Sequence, residues 1–234
     1  MPEVVFAFDL DGTITACELL PYIATACGVA APLQEMTRNA LQGLADYESS
    51  LRERITLLGR IHPADVRAAV SAAPLVPEIV DFITAERHRC AVVTANIDIW
   101  VSPVIEHLGC RAFTSSAVWK ELSQPTTLPG HGIRTMPQGG LCLLSLVDKA
   151  AAINTLRRER AKETGLYPAD IKVIAVGESF NDIQMLEQAD VGIAFAGVHE
   201  PAPRLLAAAT LRADSGKELC ELLAKASNGQ GFLP

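Results

Sequence analysis

Long apolar runs are missing from this chain of 234 residues. None reaches the roughly 20 residues that a membrane-spanning helix needs, so no such span is expected. No basic segment followed by an apolar one precedes the first strand-like stretch. A secretory signal is therefore not expected, and the cytoplasm is the expected compartment. Positive charge is in deficit: 20 Lys and Arg stand against 27 Asp and Glu, a net charge of −7. The basic residues form no stripe, which argues against nucleic acid as a partner. There is no C-x-x-C pair either. Cys17, Cys27, Cys90, Cys110, Cys142 and Cys220 are scattered, as reduced and mostly buried thiols are. No internal repeat is found. What is abundant is apolar residue, 49% of the chain, enough for one large domain or a domain carrying an inserted subdomain. A monomer or homodimer is expected.

The most informative stretch is Val4-Val5-Phe6-Ala7-Phe8-Asp9-Leu10-Asp11-Gly12-Thr13-Ile14-Thr15. Its apolar, β-branched and aromatic start predicts a buried strand. Strand geometry turns alternate side chains to one side, so Asp9 and Asp11 can both face the crevice beyond the strand's carboxyl end. In open α/β sheets that edge is where ligands bind. Gly12 permits a sharp turn, and Thr13 offers a hydroxyl. Two acids this close repel unless a cation or proton intervenes, which points to a divalent metal and a phosphate-like partner. The same residues also fit a plain strand followed by an Asp-Gly turn.

Between Ile14 and Cys90 the chain gives no strand signal. Helical spacing covers residues 18–27, 32–41, 47–58 and 65–72, with Gly28 and Gly43 at break positions, Asp46 as an N-cap and Pro63 at a helix start. This run is too long for a plain crossover, so residues 16–74 read as an inserted small helical cap. From Pro77 onward helices and strands alternate: helix 77–87, strand 90–93, helix 100–108, strand 110–113. After them come helix 147–163, strand 171–176, helix 180–188, strand 191–195, a helix past Pro203 and a last one over 217–226. Residues 115–142, rich in Pro and Gly, read as loop with room for a hairpin. The alternation predicts an α/β fold, a doubly wound, Rossmann-like parallel sheet. Its core would comprise residues 1–15 and 75–234.

A second strand, residues 171–176, also ends in acids: Gly177-Glu178-Ser179-Phe180-Asn181-Asp182. Two acidic strand ends on one crevice edge make an oxygen-rich site suited to Mg²⁺, which takes few carboxylates and keeps water and phosphate oxygens. Alternatively, Glu178 and Asp182 are acids at a helix start, favoured by the macrodipole. Thr94 closes a strand where its hydroxyl and the following N–H groups can hold a phosphoryl oxygen, or simply cap the next helix. Lys149 opens a helix, an unfavourable end for a cation, which suggests an anionic neighbour. Pairing with Asp148 on the surface is the other reading.

Taken in order, Asp9-x-Asp11-Gly12-Thr13, Thr94, Lys149 and Gly177-Glu178-x-x-Asn181-Asp182 resemble the four motifs of the haloacid dehalogenase superfamily. More narrowly, the chain resembles the phosphoserine phosphatase family, which inserts a small helical cap between its first two motifs. The resemblance spans nearly the whole chain and implies a phosphomonoester hydrolase that works through an aspartyl phosphate. It makes Asp9 the nucleophile, Asp11 the general acid and base, and Thr94 and Lys149 the phosphoryl-binding pair. Asp9, Asp11, Glu178 and Asp182 are the implied Mg²⁺ site. The family's cap carries a Glu seven residues after the second Asp, matched by Glu18, which would bind a substrate ammonium. It also carries a segment like Tyr47-Glu48-Ser49-Ser50-Leu51-Arg52-Glu53-Arg54, whose last Arg, Arg54, would bind a substrate carboxylate. Ala95, Asn96 and Asn181 complete the expected substrate contacts.

Two motifs depart from the family pattern. Thr94-Ala95-Asn96 stands where Ser-Gly-Gly is usual, keeping the hydroxyl but adding side chains on the substrate path. Gly177-Glu178-Ser179 replaces Gly-Asp-Gly, keeping the charge on an arm one methylene longer. The expected partner is a small phosphorylated metabolite, such as a phosphorylated amino acid. Alternatives are a phosphatase or phosphotransferase for another small phosphorylated metabolite, a catalytically inactive binding protein, and a receiver-like signalling module.

Overall fold

A computed structural model describes residues 3–28, 31–121 and 139–227. The chain opens with β1 (Glu3–Phe8), then a tight, partly irregular turn over Leu10–Ile14. Four helices follow: α1 (Leu19–Ala26), α2 (Ala31–Leu41), α3 (Tyr47–Leu58) and α4 (Pro63–Ser71). Helix α3 starts where Asp46 accepts the Ser49 N–H, and α4 begins on Pro63, whose missing N–H has no partner to lose at a helix start. The alternating part runs α5 (Pro77–Ala85), β2 (Cys90–Ile97), α6 (Asp98–Leu108), β3 (Arg111–Glu121), β4 (Gly139–Ser145), α7 (Lys149–Thr164) and β5 (Ile171–Gly177). It ends with α8 (Ile183–Gln188), β6 (Val191–Phe195), α9 (Pro203–Ala208), β7 (Leu211–Ala213) and α10 (Gly216–Ser227).

The seven strands form one sheet in the order β4-β3-β2-β1-β5-β6-β7, parallel except for the β3–β4 pair. Strand β1 lies in the middle, with β2 on one side and β5 on the other. The chain winds outward from β1 through β2 and β3, then returns to β5, so the order reverses at β1. That reversal opens a crevice at the carboxyl ends of β1 and β5. Period-2 alternation divides β1 between two apolar layers. Phe6 and Phe8 join one with α5, α6 and α10, whereas Val5 and Ala7 join the other with α7, α8 and α9. Leu19, Ile23, Leu51, Ile55 and Val70 of the four-helix segment extend the first layer without a break.

Where the helical segment leaves and rejoins the sheet, its two ends are tied together. The Ala16 N–H donates to the Pro74 carbonyl, the Val76 N–H to that of Ile14, and Thr15 and Leu75 form an antiparallel bridge.

The structure corrects the sequence reading at the sheet's edge. Part of the 115–142 segment is strand: β3 runs on to Glu121, and β4 begins at Gly139 and pairs with it antiparallel. The antiparallel pair takes up the room left for a hairpin; the glycines at the start of β4 are tolerated because it is an edge strand, so cross-strand pairing outweighs local preference. Residues 122–138 lie outside the described residues. Strand β2 continues through Thr94, Ala95 and Asn96, and the three-residue β7 adds an edge that no periodicity marks. All six cysteines are free, but only Cys90 is buried and the other five are partly exposed, against the expectation of mostly buried thiols. Among the described residues no helix is long and apolar enough to cross a membrane.

Candidate active site

Asp9 follows the last residue of β1, its N–H donating to the Val176 carbonyl of β5. The next turn depends on Gly12, whose φ of +69° lies in the left-handed region. A Cβ there would stand 2.9 Å from Glu178 Cδ, so the same glycine lets the β5 turn approach. Gly177 serves the reverse approach, since a Cβ on it would lie 2.5 Å from Asp182 Cβ. The two acidic strand ends are thus packed together through two missing side chains.

Lys149, the first residue of α7, sits between them. Its Nζ is 2.5 Å from Asp9 Oδ1 and 2.6 Å from Asp182 Oδ1, with all three side chains buried. Asp182 uses its other oxygen, Oδ2, to accept the N–H groups of Glu178 and Ser179, each at 3.0 Å, and the Ser179 hydroxyl at 3.2 Å. Both its oxygens are therefore engaged, one holding the turn and one holding the lysine. Asn181 accepts from the Ser179 hydroxyl in the same turn. Asp11 accepts the Leu19 N–H at 2.9 Å, while Thr94 Oγ1 (3.4 Å) and Asn96 Nδ2 (3.5 Å) approach the same carboxylate at the limit of hydrogen-bond reach. Thr94 Oγ1 also accepts the Asn96 N–H, which pins the end of β2.

Asp9, Asp11, Glu18, Arg54, Ala95, Asn96, Glu178 and Asn181 line one small cavity of about 20 Å³. The structure thus brings the residues of the site implied by the resemblance to one crevice, with Thr94, Lys149 and Asp182 immediately behind its wall; Thr13, singled out for its hydroxyl, is buried without a hydrogen-bond partner and does not line it. Arg54 is 2% exposed, stacks over the Tyr47 ring at 5.7 Å, and donates to Thr37 Oγ1 and the Ser50 carbonyl. Its Nη2 has no partner, and neither do the buried Oε1 atoms of Glu18 and Glu178.

Burial governs the electrostatics. It pushes the Asp9 carboxyl up to about 8; Asp182 adds to the rise and Lys149 opposes it. Burial, with Glu18 next, pushes Glu178 up to about 10. Burial also raises Asp11, the Leu19 N–H working against it, and holds Glu18 well above the usual carboxylate range, with Asp11 adding to the shift. For Lys149 burial acts downward, but Asp182 and Asp9 overturn it and keep the ammonium charged. A crowd of acids with Lys149 and Arg54 as counter-charges stores repulsion that a divalent cation would relieve. The chemistry of the donors suits such an ion: hard oxygens from Asp9, the Asp11 backbone and Glu178, whose Oε1 is buried and unpartnered, with Asp182 beside them.

Several contributors escaped the sequence reading. Thr37 and Tyr47 hold the Arg54 guanidinium, yet both look like ordinary helix residues. His199, in the loop after β6, lies 3.7 Å from Glu18 Oε1. Its one available signal was a polar residue in a loop at a strand's carboxyl end.

A doubly wound sheet with an aspartate at the end of its central strand, a lysine ion-paired to it and an acidic turn on the neighbouring strand defines the class. The chain belongs to the haloacid dehalogenase-like hydrolase family, whose model matches residues 6–187. Within it the chain is phosphoserine phosphatase-like. It is 27% identical over 192 residues to a phosphoserine phosphatase of Methanocaldococcus jannaschii, covering 80% of this chain and 83% of that one. A phosphoserine phosphatase of Archaeoglobus fulgidus is 25% identical over 195 residues, 82% of this chain, and the match spans about half of that protein's length, 52%. A solved structure of a phospho-aspartyl intermediate analogue of phosphoserine phosphatase superposes with a TM-score of 0.71 at 26% identity, covering 96% of this chain and 99% of that one.

Proposed function

We propose that this chain hydrolyses a small phosphorylated amino acid such as phosphoserine, with Asp9 as the transient phosphate carrier. The observation that carries the substrate class is a pair of unsatisfied polar groups on one cavity. Arg54 and Glu18 line the same space as Asp9, and Arg54 Nη2 and Glu18 Oε1 are buried without a hydrogen bond. A guanidinium donor and a carboxyl acceptor on one cavity suit the carboxylate and ammonium of an amino acid, and a buried polar group left unpaired is costly to keep otherwise.

In this reading an Asp9 carboxylate oxygen attacks phosphorus in line, forming an acyl phosphate as the bond to the substrate oxygen breaks. Asp11, whose proton affinity burial raises, gives a proton to the leaving alkoxide. It then takes one from the water that cleaves the acyl phosphate, releasing inorganic phosphate and restoring Asp9. Lys149 and Thr94 hold the phosphoryl oxygens, and Asp182 holds Lys149. Asn181 braces the turn after β5. Mg²⁺, held by Asp9, the Asp11 backbone carbonyl and Glu178 with Asp182 alongside, would offset the repulsion between carboxylate and phosphate dianion. Residues 16–74 act as a helical cap on a core of 1–15 and 75–234, excluding water and selecting the substrate. The tied ends of that segment support this division.

One observation favours a second reading, a phosphatase or phosphotransferase for another small phosphorylated metabolite. The Ala95 and Asn96 side chains line the cavity, on the path that the resemblance assigns to the substrate. Phosphate release from L-phosphoserine, sugar phosphates and p-nitrophenyl phosphate, with and without an added hydroxyl acceptor, separates the two. Hydrolysis of L-phosphoserine no faster than of p-nitrophenyl phosphate would overturn the first reading.

A further inference from the structure

Beside the four-acid cluster lies a second group of ligating atoms. Glu18, Glu178 and His199 each offer one, and all three lie within 4.8 Å of one another. They come from separate parts of the chain: the residue before α1, the turn after β5 and the loop after β6. Glu178 is 4% exposed, and its Oε1 has no hydrogen-bond partner. Glu18 Oε1 is also buried without a hydrogen bond, and at 3.7 Å His199 Nε2 stands too far away to supply one. Two carboxylates and an imidazole thus each bring a ligating atom to one place, and each of the two carboxylates has a buried oxygen without a hydrogen bond.

The three residues also line a cleft of about 860 Å³ between α1, α2 and the 199–203 loop. Water there can complete a coordination shell. Tetrahedral Zn²⁺, with bonds of about 2.0–2.2 Å, places its ligand atoms roughly 3.4 Å apart. The present spacing needs a contraction of about an ångström, within reach of a half-exposed histidine on a loop. An imidazole in the set favours a borderline ion over Mg²⁺, which prefers oxygen alone.

We propose that Glu18, Glu178 and His199 form a second cation site, for a divalent ion of the Zn²⁺ class, sharing only Glu178 with the acids assigned to Mg²⁺. The ion bridges the first helix of the four-helix segment and the sheet. It draws Glu18 and Glu178 away from substrate and Mg²⁺, so it inhibits turnover. The binding site stands on the geometry alone; the inhibition rests on the function proposed above.

The test is a titration of the whole protein with Co²⁺, a coloured substitute for Zn²⁺, in excess Mg²⁺, followed by visible ligand-field absorption and repeated with Zn²⁺ by calorimetry. The wild-type protein should bind one equivalent of Co²⁺, and His199→Ala should weaken that binding by at least about tenfold. Asp9→Asn should keep the Co²⁺ band while losing turnover. His199→Ala should keep Mg²⁺-dependent phosphate release and lose its sensitivity to Zn²⁺. Absence of a wild-type band, an unchanged affinity in His199→Ala, or one-for-one displacement of Co²⁺ by Mg²⁺ would each overturn the site. An intact, His199-dependent band in a protein that releases no phosphate would instead refute the proposed function and leave the site standing.

Discussion

Asp9 and Lys149, 2.5 Å apart inside the protein, act as a unit. Asp9→Asn removes the attacking oxygen while nearly preserving the shape, so turnover should be lost with the fold kept; substantial phosphate release by Asp9→Asn would exclude the nucleophile. Asp11→Asn should lose most activity too, because an amide can neither give nor take the proton. Arg54 makes a different prediction. Its free Nη2 points to a substrate carboxylate, so Arg54→Ala should raise KM for L-phosphoserine by roughly 10- to 100-fold, the worth of about 1.5–3 kcal/mol for a charged hydrogen bond. The KM for p-nitrophenyl phosphate, which has no carboxylate, should barely move. Equal effects on both substrates would remove the carboxylate role.

At the scale of elements, the turn over Leu10–Ile14 and the turn after β5 are fitted to each other through Gly12. Gly12→Ala imposes left-handed strain of about 1–2 kcal/mol and drives a methyl group into Glu178. The expected result is a small fall in Tm with a much larger fall in Mg²⁺ affinity, read by titrating metal-dependent phosphate release. This was the legible part of the molecule. Asp9, Asp11 and Gly12 follow an unmistakable strand, and Glu178 and Asp182 follow another, so their meeting at one sheet edge could be read from order alone. The start of β3 was legible as a strand, but its extension to Glu121 and the edge strand β4 were not, because such pairing draws its stability from the partner rather than from a pattern of its own. The support of Arg54 by Thr37 and Tyr47, and the approach of His199 to Glu18, stayed hidden for a related reason. Thr37 and His199 meet partners far along the chain, whereas Tyr47 and Arg54 sit two turns apart on α3, a spacing that permits the stacking without announcing it.

For the molecule as a whole, the buried acids make stability depend on pH. Asp9, raised to about 8, and Glu178, raised to about 10, hold protons in the folded state that the unfolded chain has already released. Their contribution is full below the ordinary carboxylate range and drains away as pH climbs through the folded values. In EDTA, Tm should therefore fall from about pH 5 to about pH 10, whereas saturating Mg²⁺ should flatten the decline by pairing with the ionised forms. A flat or rising Tm in EDTA would show that these acids are not crowded together as described. EDTA should also stop phosphate release, and Mg²⁺ should restore it.

The bond from the Leu19 N–H to Asp11 has a consequence for timing. Leu19 opens the first helix of the segment between the tied ends, so the carboxyl that handles the proton feels where that segment stands. With the helices seated, burial lifts the proton affinity of Asp11 and the Leu19 donor takes back part of that rise. Were the segment to act as the lid proposed above, lifting it would remove both influences, and burial, the larger, would decide the outcome: the carboxyl would let its proton go to water. In that reading the acid keeps a proton to give only while the chamber is shut.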